Sequence, residues 1–231
     1  MDDLEIMALD TLEHTHWWYI SRKKRLKIFL EFLPENLEVL DLGSASGGNT
    51  IFMSSLGHKV TSFEYSLLGV ELQRKKSIPV VHGDARDMPF AESKFDLVVC
   101  LDVLEHIYED NQVLAEIHRV LKPGGKALLS VPQDPSMWSS HDTAVNHVRR
   151  YTKIELITKL QLANFDIEQV SNSIIFLKPL IRVYRKFSSG SSLRKVNRVV
   201  NQILLCICDI EKRLRVSKFP GLTLWVVASK N

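Results

Sequence analysis

Cysteine is scarce in this 231-residue chain, with only Cys100, Cys206 and Cys208. The number is odd and no pair has C-x-x-C spacing, so neither a disulfide framework nor a zinc or redox motif is expected. A reducing compartment follows, and a cytoplasmic location is expected. Glycine and proline are also sparse, at ten and eight, which excludes a fibrous or low-complexity chain. No apolar run approaches the roughly 18 residues that span a bilayer. The opening MDDLEIMALD is acidic and lacks both a basic and an apolar stretch, so no signal peptide is expected. No internal repeat is visible, which excludes a solenoid. What is present, 45% apolar and 25% charged side chains, is enough to bury a full core and too apolar for global disorder.

Net charge is +3, but it is unevenly spread. Residues 173 to 231 hold 12 basic and 2 acidic side chains, against 18 and 25 in residues 1 to 172. Such asymmetry suits an anionic partner, whether phosphate, lipid headgroup or nucleic acid; a merely solvated basic face is the plainer alternative.

From residue 37 onward short β-rich apolar runs alternate with helical stretches, the pattern of a parallel sheet covered by helices. Strands are expected near 37–42, 59–63, 79–82, 95–101, 125–131, 165–172 and 223–229. Helices are expected near 2–14, 21–32, 48–56, 66–76, 109–120 and 153–162, with two more between 173 and 218. The helix at 109–120 carries Val113, Leu114, Ile117, Val120 and Leu121 at helical spacing and stops at LKPGG, where Pro123 cannot continue it. Residues 132–150 read as a long polar loop, and loops of that length tend to be functional. The expected fold is α/β, a doubly wound Rossmann-like seven-stranded sheet with a helical insertion before its last strand. Its parts are an N-terminal helical cover (1–36), a core (37–172), a basic apolar insertion or lid (173–218) and a final strand (219–231). Ligands of such sheets bind beyond the carboxyl ends of the strands where the connection order reverses.

At that place stands Asp41-Leu-Gly43-Ser44-Ala45-Ser-Gly47-Gly48, leading from the first strand into a helix. Gly43 permits a sharp turn and close approach of a ligand to the backbone. Glu64, at the end of the second strand, occupies the position from which a carboxylate binds ribose hydroxyls. Asp84 follows the third strand, and Asp102, Glu105 and His106 follow the fourth. Acidic groups at four strand ends on one rim would repel a pyrophosphate, which disfavours a dinucleotide and favours a nucleoside carrying positive charge.

These motifs in this order resemble the class I S-adenosylmethionine-dependent methyltransferases, of the small-molecule type that includes ubiquinone methyltransferases. VLDLGSASGG is similar to the family's nucleotide loop, with Ala45 where the middle glycine usually stands; FEYS, GDARDMPF, FDLVVCLDVLEHI and LKPGG are similar to its later segments. The resemblance implies S-adenosylmethionine as cofactor, held by Asp41, Gly43, Ser44, Ala45 and Gly47, by Glu64 and Tyr65 at the ribose, by Asp84 and Ala85 at the adenine, and by Leu101 on the methyl-donor side. The run THWWYISRKKR before the sheet also occurs in many members; its tryptophans either cover the cofactor pocket or pack the helix on the core. NHVRRYT at 146–152 resembles an element on the family's active-site side.

Methyl transfer needs alignment and exclusion of water rather than a protein nucleophile. A hydroxyl or amine acceptor must still lose a proton, and histidine is the usual base. His106 and His147, with Tyr151 beside them, are the expected catalytic residues and His141 is a further candidate; Arg150 and Tyr151 either orient an acceptor or anchor the loop. Asp102, Glu105 and His106 also match a pattern that binds a divalent metal in quinone O-methyltransferases, but many relatives carry VLEHI without metal, and none is expected here. The insertion, apolar and basic, suits a substrate lid, a dimer contact or peripheral contact with an anionic membrane. The expected function is therefore methyl transfer to a small-molecule or lipid-like acceptor, at oxygen. An RNA methyltransferase and a non-catalytic nucleotide-binding regulator are the rivals; no stacking motif or RNA-binding module supports the former.

Overall fold

The computed structural model describes residues 3–187, 190, 195–214 and 216–231. Two helices come first, α1 (Asp3–Leu12) and α2 (Trp17–Leu30). The alternating part follows as β1 (Glu38–Leu42), α3 (Gly48–Ser55), β2 (Lys59–Glu64), α4 (Leu67–Lys75), β3 (Val80–His82), β4 (Phe95–Leu101), α5 (Asp110–Val120) and β5 (Leu121–Pro132). The chain continues through α6 (Ser140–Ala144), α7 (Lys153–Leu162), β6 (Phe165–Ser173), α8 (Lys178–Phe187), α9 (Arg198–Arg213) and β7 (Thr223–Lys230).

The seven strands form one sheet in the order β3-β2-β1-β4-β5-β7-β6. β1 to β5 are mutually parallel, and β7 slots antiparallel between β5 and β6, which makes the sheet mixed. Period-two alternation divides β1 and β4 between two cores. Leu40, Leu42, Val98 and Cys100 face α5 and α7 through Val113, Ile117, Leu156 and Leu160. Val39, Leu97, Val99 and Leu101 face Leu26 and Leu30 of α2 and Met53 of α3. Chain order reverses between β1 and β4, so a crevice opens beyond their carboxyl ends. A third apolar cluster, with Trp17, Met137, Leu177, Leu205 and Leu222, joins the start of α2 to the insertion on that side.

Several expectations shift. α2 starts at Trp17, four residues earlier than its pattern suggests, because the His16 side chain accepts the Trp18 N–H and caps it. β5 begins at Leu121 and absorbs the Pro-Gly-Gly turn as an irregularity in its register with β4, Gly124 taking φ +75°. The stretch 132–150 is not bare loop: Pro135–Met137 forms a 3-10 turn, and α6 is closed by a capping box between Ser139 and Asp142. Asp2 of the first expected helix and Leu193 of the second insertion helix lie outside the described residues. Among the described residues no helix is long and apolar enough to cross a membrane.

Candidate active site

The loop from β1 into α3 is shaped by its neighbours. Gly43 has φ +72°, and a Cβ there would lie 2.4 Å from Val103 Cγ2, so only glycine fits. Ala45 also takes a positive φ, of 47°. Its N–H donates to Glu64 Oε2 at 2.6 Å, while Glu64 Oε1 accepts from the Ser66 N–H at 2.7 Å. One buried carboxylate therefore ties the loop to the end of β2. Beneath it, the Ser62 hydroxyl and the Gln73 amide both donate to Ser44 Oγ, at 2.6 and 2.8 Å.

Beyond these strand ends lies a cavity of about 330 Å³. Gly43, Ala45, Glu64, Tyr65, Asp84 and Ala85 line it, together with Asp102, Val103 and His106. Asp84 is paired with Arg86 at 2.7 Å, and that hydrogen-bonded guanidinium holds its carboxyl below the usual range. Four residues expected at this site do not line the cavity. Asp41 is buried and turned onto α3, accepting the Thr50 hydroxyl at 2.5 Å; burial pushes its carboxyl up to about 6. Ser44 belongs to the network under the loop, and Gly47, at φ +87°, is the residue that caps α3. Leu101 packs in the core against α2, and its neighbour Asp102 reaches the cavity instead.

A second, larger cavity of about 620 Å³ adjoins the first, sharing Asp102 and His106 with it. Its walls are mainly apolar, from Trp17 and Trp18 of α2 and from the insertion through Leu177, Leu180, Ile181, Val200 and Leu204. The tryptophans thus cover this cavity, not the smaller one, and Trp17 also packs in the adjoining core cluster. Asp102, at φ 57°, is fixed between the two by Arg22 Nη1 at 2.9 Å and the Ser130 hydroxyl at 2.8 Å.

Three histidines meet on the larger cavity's wall. The His106 and His147 rings are 4.9 Å apart and His141 lies 6.2 Å from His147. Burial pulls His106 and His141 down to about 3, with Arg185 adding to the effect on His141, so both are neutral near pH 7. His147 Nδ1 is 3.0 Å from Asp142 Oδ1. Asp142 is wholly buried, yet His147 and Arg150 hold its carboxyl well below the usual range against the opposing effect of burial. An ionised carboxylate only accepts, so Nδ1 carries a proton, and in the neutral ring the lone pair lies on Nε2. This orienting role of Asp142 is invisible to a reading confined to NHVRRYT; its signal was the S-x-x-D capping box that runs from Ser139 to Asp142.

Tyr151 is not among these groups. Its ring is fully buried and its hydroxyl donates to Asp110 Oδ2 at 2.7 Å, so it anchors the loop and lines neither cavity. Arg150 does line the larger cavity but is committed to Asp142 and the Gln133 carbonyl. Glu105 is buried with neither oxygen hydrogen-bonded, and burial pushes its carboxyl well above the normal range. One ligand atom each of Glu105, His106 and His147 lies within 4.8 Å of the others. That trio differs from the metal pattern seen in sequence, because Asp102 is engaged elsewhere.

The glycine-cradled loop, the acid at the end of β2 and the strand order are those of the Rossmann-like fold of class I S-adenosylmethionine-dependent methyltransferases. Residues 40–129 match the methyltransferase domain family, and residues 85–199 match a model of the N-terminal part of anamorsin. The chain is 29% identical over 135 residues to a probable S-adenosylmethionine-dependent methyltransferase of Mycolicibacterium smegmatis, covering 57% of this chain and 52% of that one. It is 34% identical over 100 residues to a demethylmenaquinone methyltransferase of Renibacterium salmoninarum, covering 42% of each. These matches span about half the length of the curated relatives or less. In architecture it is similar to an S-adenosylmethionine-dependent methyltransferase of Archaeoglobus fulgidus, with TM-score 0.66, 15% identity and coverage of 99% and 100%.

Proposed function

We propose that the chain transfers a methyl group from S-adenosylmethionine to a small lipid-like acceptor, at an oxygen atom. The observation that carries this reading is the pair of adjoining cavities with Asp102 and His106 on their common wall. The smaller has the donor chemistry for a cationic nucleoside. Glu64, Asp84 and Asp102 line it, and the cradle at Gly43 leaves no room for a side chain. The larger is apolar and bears the polar groups a transfer needs. S-adenosylmethionine supplies an already activated methyl group.

The protein's work is then alignment, exclusion of water and removal of one proton. Ala45 and Glu64 hold the loop, Tyr65 and Ala85 wall the nucleoside side, and Asp102 stands where the cavities meet. His147, held in one tautomer by Asp142, takes the acceptor's proton at Nε2. His106, neutral and beside it, donates Nδ1–H to the Asn146 carbonyl at 3.2 Å and is thereby kept in place. The chain's likeness to an enzyme named for demethylmenaquinone supports an acceptor with a large apolar part. The basic, apolar insertion supports peripheral contact with anionic membrane, where such an acceptor resides.

The test has two parts. S-adenosylhomocysteine, the product of the donor, is titrated calorimetrically into the parent and into Glu64→Ala. The variant is expected to bind at least about tenfold more weakly, because two backbone donors lose their acceptor. Labelled S-adenosylmethionine is then incubated with protein and a cell extract. Label in the lipid or small-molecule fraction is expected; label in RNA, or none, defeats the reading.

A further inference from the structure

The larger cavity contains a cation that the chain itself leaves unsatisfied. Arg185 of α8 lines the cavity and is only 9% exposed, and its Nε and Nη1 meet no hydrogen-bond partner. Burial pulls its guanidinium down to about 10, so it stays protonated at neutral pH. A buried charge of this kind is normally paired, because its lost hydration has to be replaced.

None of the neighbouring carboxylates supplies that pairing. Asp142 attracts Arg185 but already accepts from Arg150, His147 and Ser139, and Arg150 repels it. Glu105 is pushed toward its neutral form by burial, and Asp102 is taken by Arg22 and Ser130. Glu5 lies on the same wall, but the charges acting on Arg185 are Arg150 and Asp142. His141, the near histidine, is neutral. Around Arg185 the balance is two guanidinium groups against one carboxylate, and the rest of the wall adds Lys195 as well as Glu5.

Arg185 also stands in line with apolar groups. Leu177, Ile181 and Arg185 follow one another at four-residue spacing on the same cavity, with Leu180 alongside and Val200 and Leu204 of α9 completing the wall. An apolar trough with one unsatisfied guanidinium at the histidine end is complementary to a molecule with an apolar body and one anionic group.

We propose that Arg185 is the specificity-determining residue of the acceptor site, and that the acceptor is an anionic amphiphile whose carboxylate or phosphate pairs with Arg185 while its apolar body lies along α8 and α9. The assignment rests on reading the larger cavity as the acceptor site. It places the anionic group beside His141 and the His147–Asp142 pair, so the methylated oxygen belongs to the polar end of the acceptor and not to its tail.

The whole chain is titrated with dodecanoate, dodecyl phosphate and dodecanol, each as monomer, with and without S-adenosylhomocysteine, following the fluorescence of the wall tryptophans. At least one anionic probe is expected to bind ten or more times more tightly than dodecanol. Arg185→Met should abolish that preference and keep dodecanol binding. Equal binding of all three by the parent overturns the proposal, as does a preference that survives in Arg185→Met. The two anions distinguish a carboxylate from a phosphate acceptor. If Arg185→Met fails to fold, the parent's anion-to-alcohol ratio still decides, and Arg185→Lys should keep the charge but lower the ratio. Failure of S-adenosylhomocysteine to bind defeats the methyltransferase reading itself. Its binding without an anion preference defeats only the role of Arg185.

Discussion

His147 directs Nδ1 at Asp142 Oδ1 across 3.0 Å, and the same carboxylate accepts Arg150 Nε at 2.7 Å. The carboxylate thus fixes both the ring's orientation and its tautomer, leaving Nε2, 3.8 Å from Glu105 Oε1, as the basic atom. Glu105, pushed toward its neutral form by burial, cannot stabilise the positive charge that His147 gains. Asp142 can, because it is ionised and buried.

Replacing His147 by Ala is expected to slow methyl transfer by about 10² to 10⁴-fold, the usual contribution of a positioned base. Binding of S-adenosylhomocysteine should stay within about twofold, since His147 does not line the smaller cavity. Single-turnover transfer and calorimetry on the same variant separate the two. An unchanged rate would remove His147 from the reaction. Turnover is also expected to survive a chelator, because the base is an imidazole oriented by a carboxylate.

Tyr151→Phe is expected to cost stability and leave the rate alone. The lost hydroxyl is one of three donors to the Asp110 carboxylate, and Arg149 and Lys159, each at 2.9 Å, remain. The loss should be about 1–2 kcal/mol in urea denaturation. A large fall in rate at unchanged stability would return Tyr151 to the site.

Much of the fold was legible because its signals are local. β4 and α5 occur where a β-rich apolar run and amphipathic spacing put them, since each element's burial pattern is written in its own residues. The antiparallel place of β7 depends on pairing with two distant strands, which periodicity does not encode. The site divides likewise. Gly43, Glu64 and Asp84 reach the cavity because a strand end aims them there, whereas Asp41 is taken by Thr50 of the following helix and Leu101 by α2, distant in sequence. Tyr151 looked catalytic four residues from His147, but its ring turns into the core and its hydroxyl is held by Asp110, a contact 41 residues distant in sequence. Arg185 looked like one more charge of a basic helix until its burial became visible.

Asp41 makes stability depend on pH. Burial raises its carboxyl from 3.8 to about 6, so the folded state holds the proton more tightly than the unfolded chain. The stabilising contribution is full below the ordinary value and is lost as pH rises through about 6, a change on the order of 3 kcal/mol. Asp41→Asn keeps an acceptor for the Thr50 hydroxyl but cannot ionise. Relative to the parent it should gain about 1–3 kcal/mol between roughly pH 4 and pH 8 in denaturant titrations. A parent-to-variant difference that does not move with pH would show that Asp41 titrates normally in the fold.

The insertion carries the last prediction. Val183 and Phe187 on α8 are 55% and 87% exposed, beside the exposed Arg182 and Lys186, and α9 adds exposed Val199 and Ile203. An apolar stripe flanked by cations sits at the boundary between headgroups and acyl chains, where burial and electrostatic attraction act together. The protein should sediment with vesicles containing an anionic phospholipid at low salt. That binding should weaken as salt shortens the range of the attraction, and vesicles of neutral lipid alone should bind less. The double variant Val183→Asp, Phe187→Asp should stay in the supernatant while binding S-adenosylhomocysteine like the parent, because neither residue lines a cavity. If the parent itself stays in the supernatant at low salt, the exposed stripe serves another contact, and the acceptor reaches the cavity from solution.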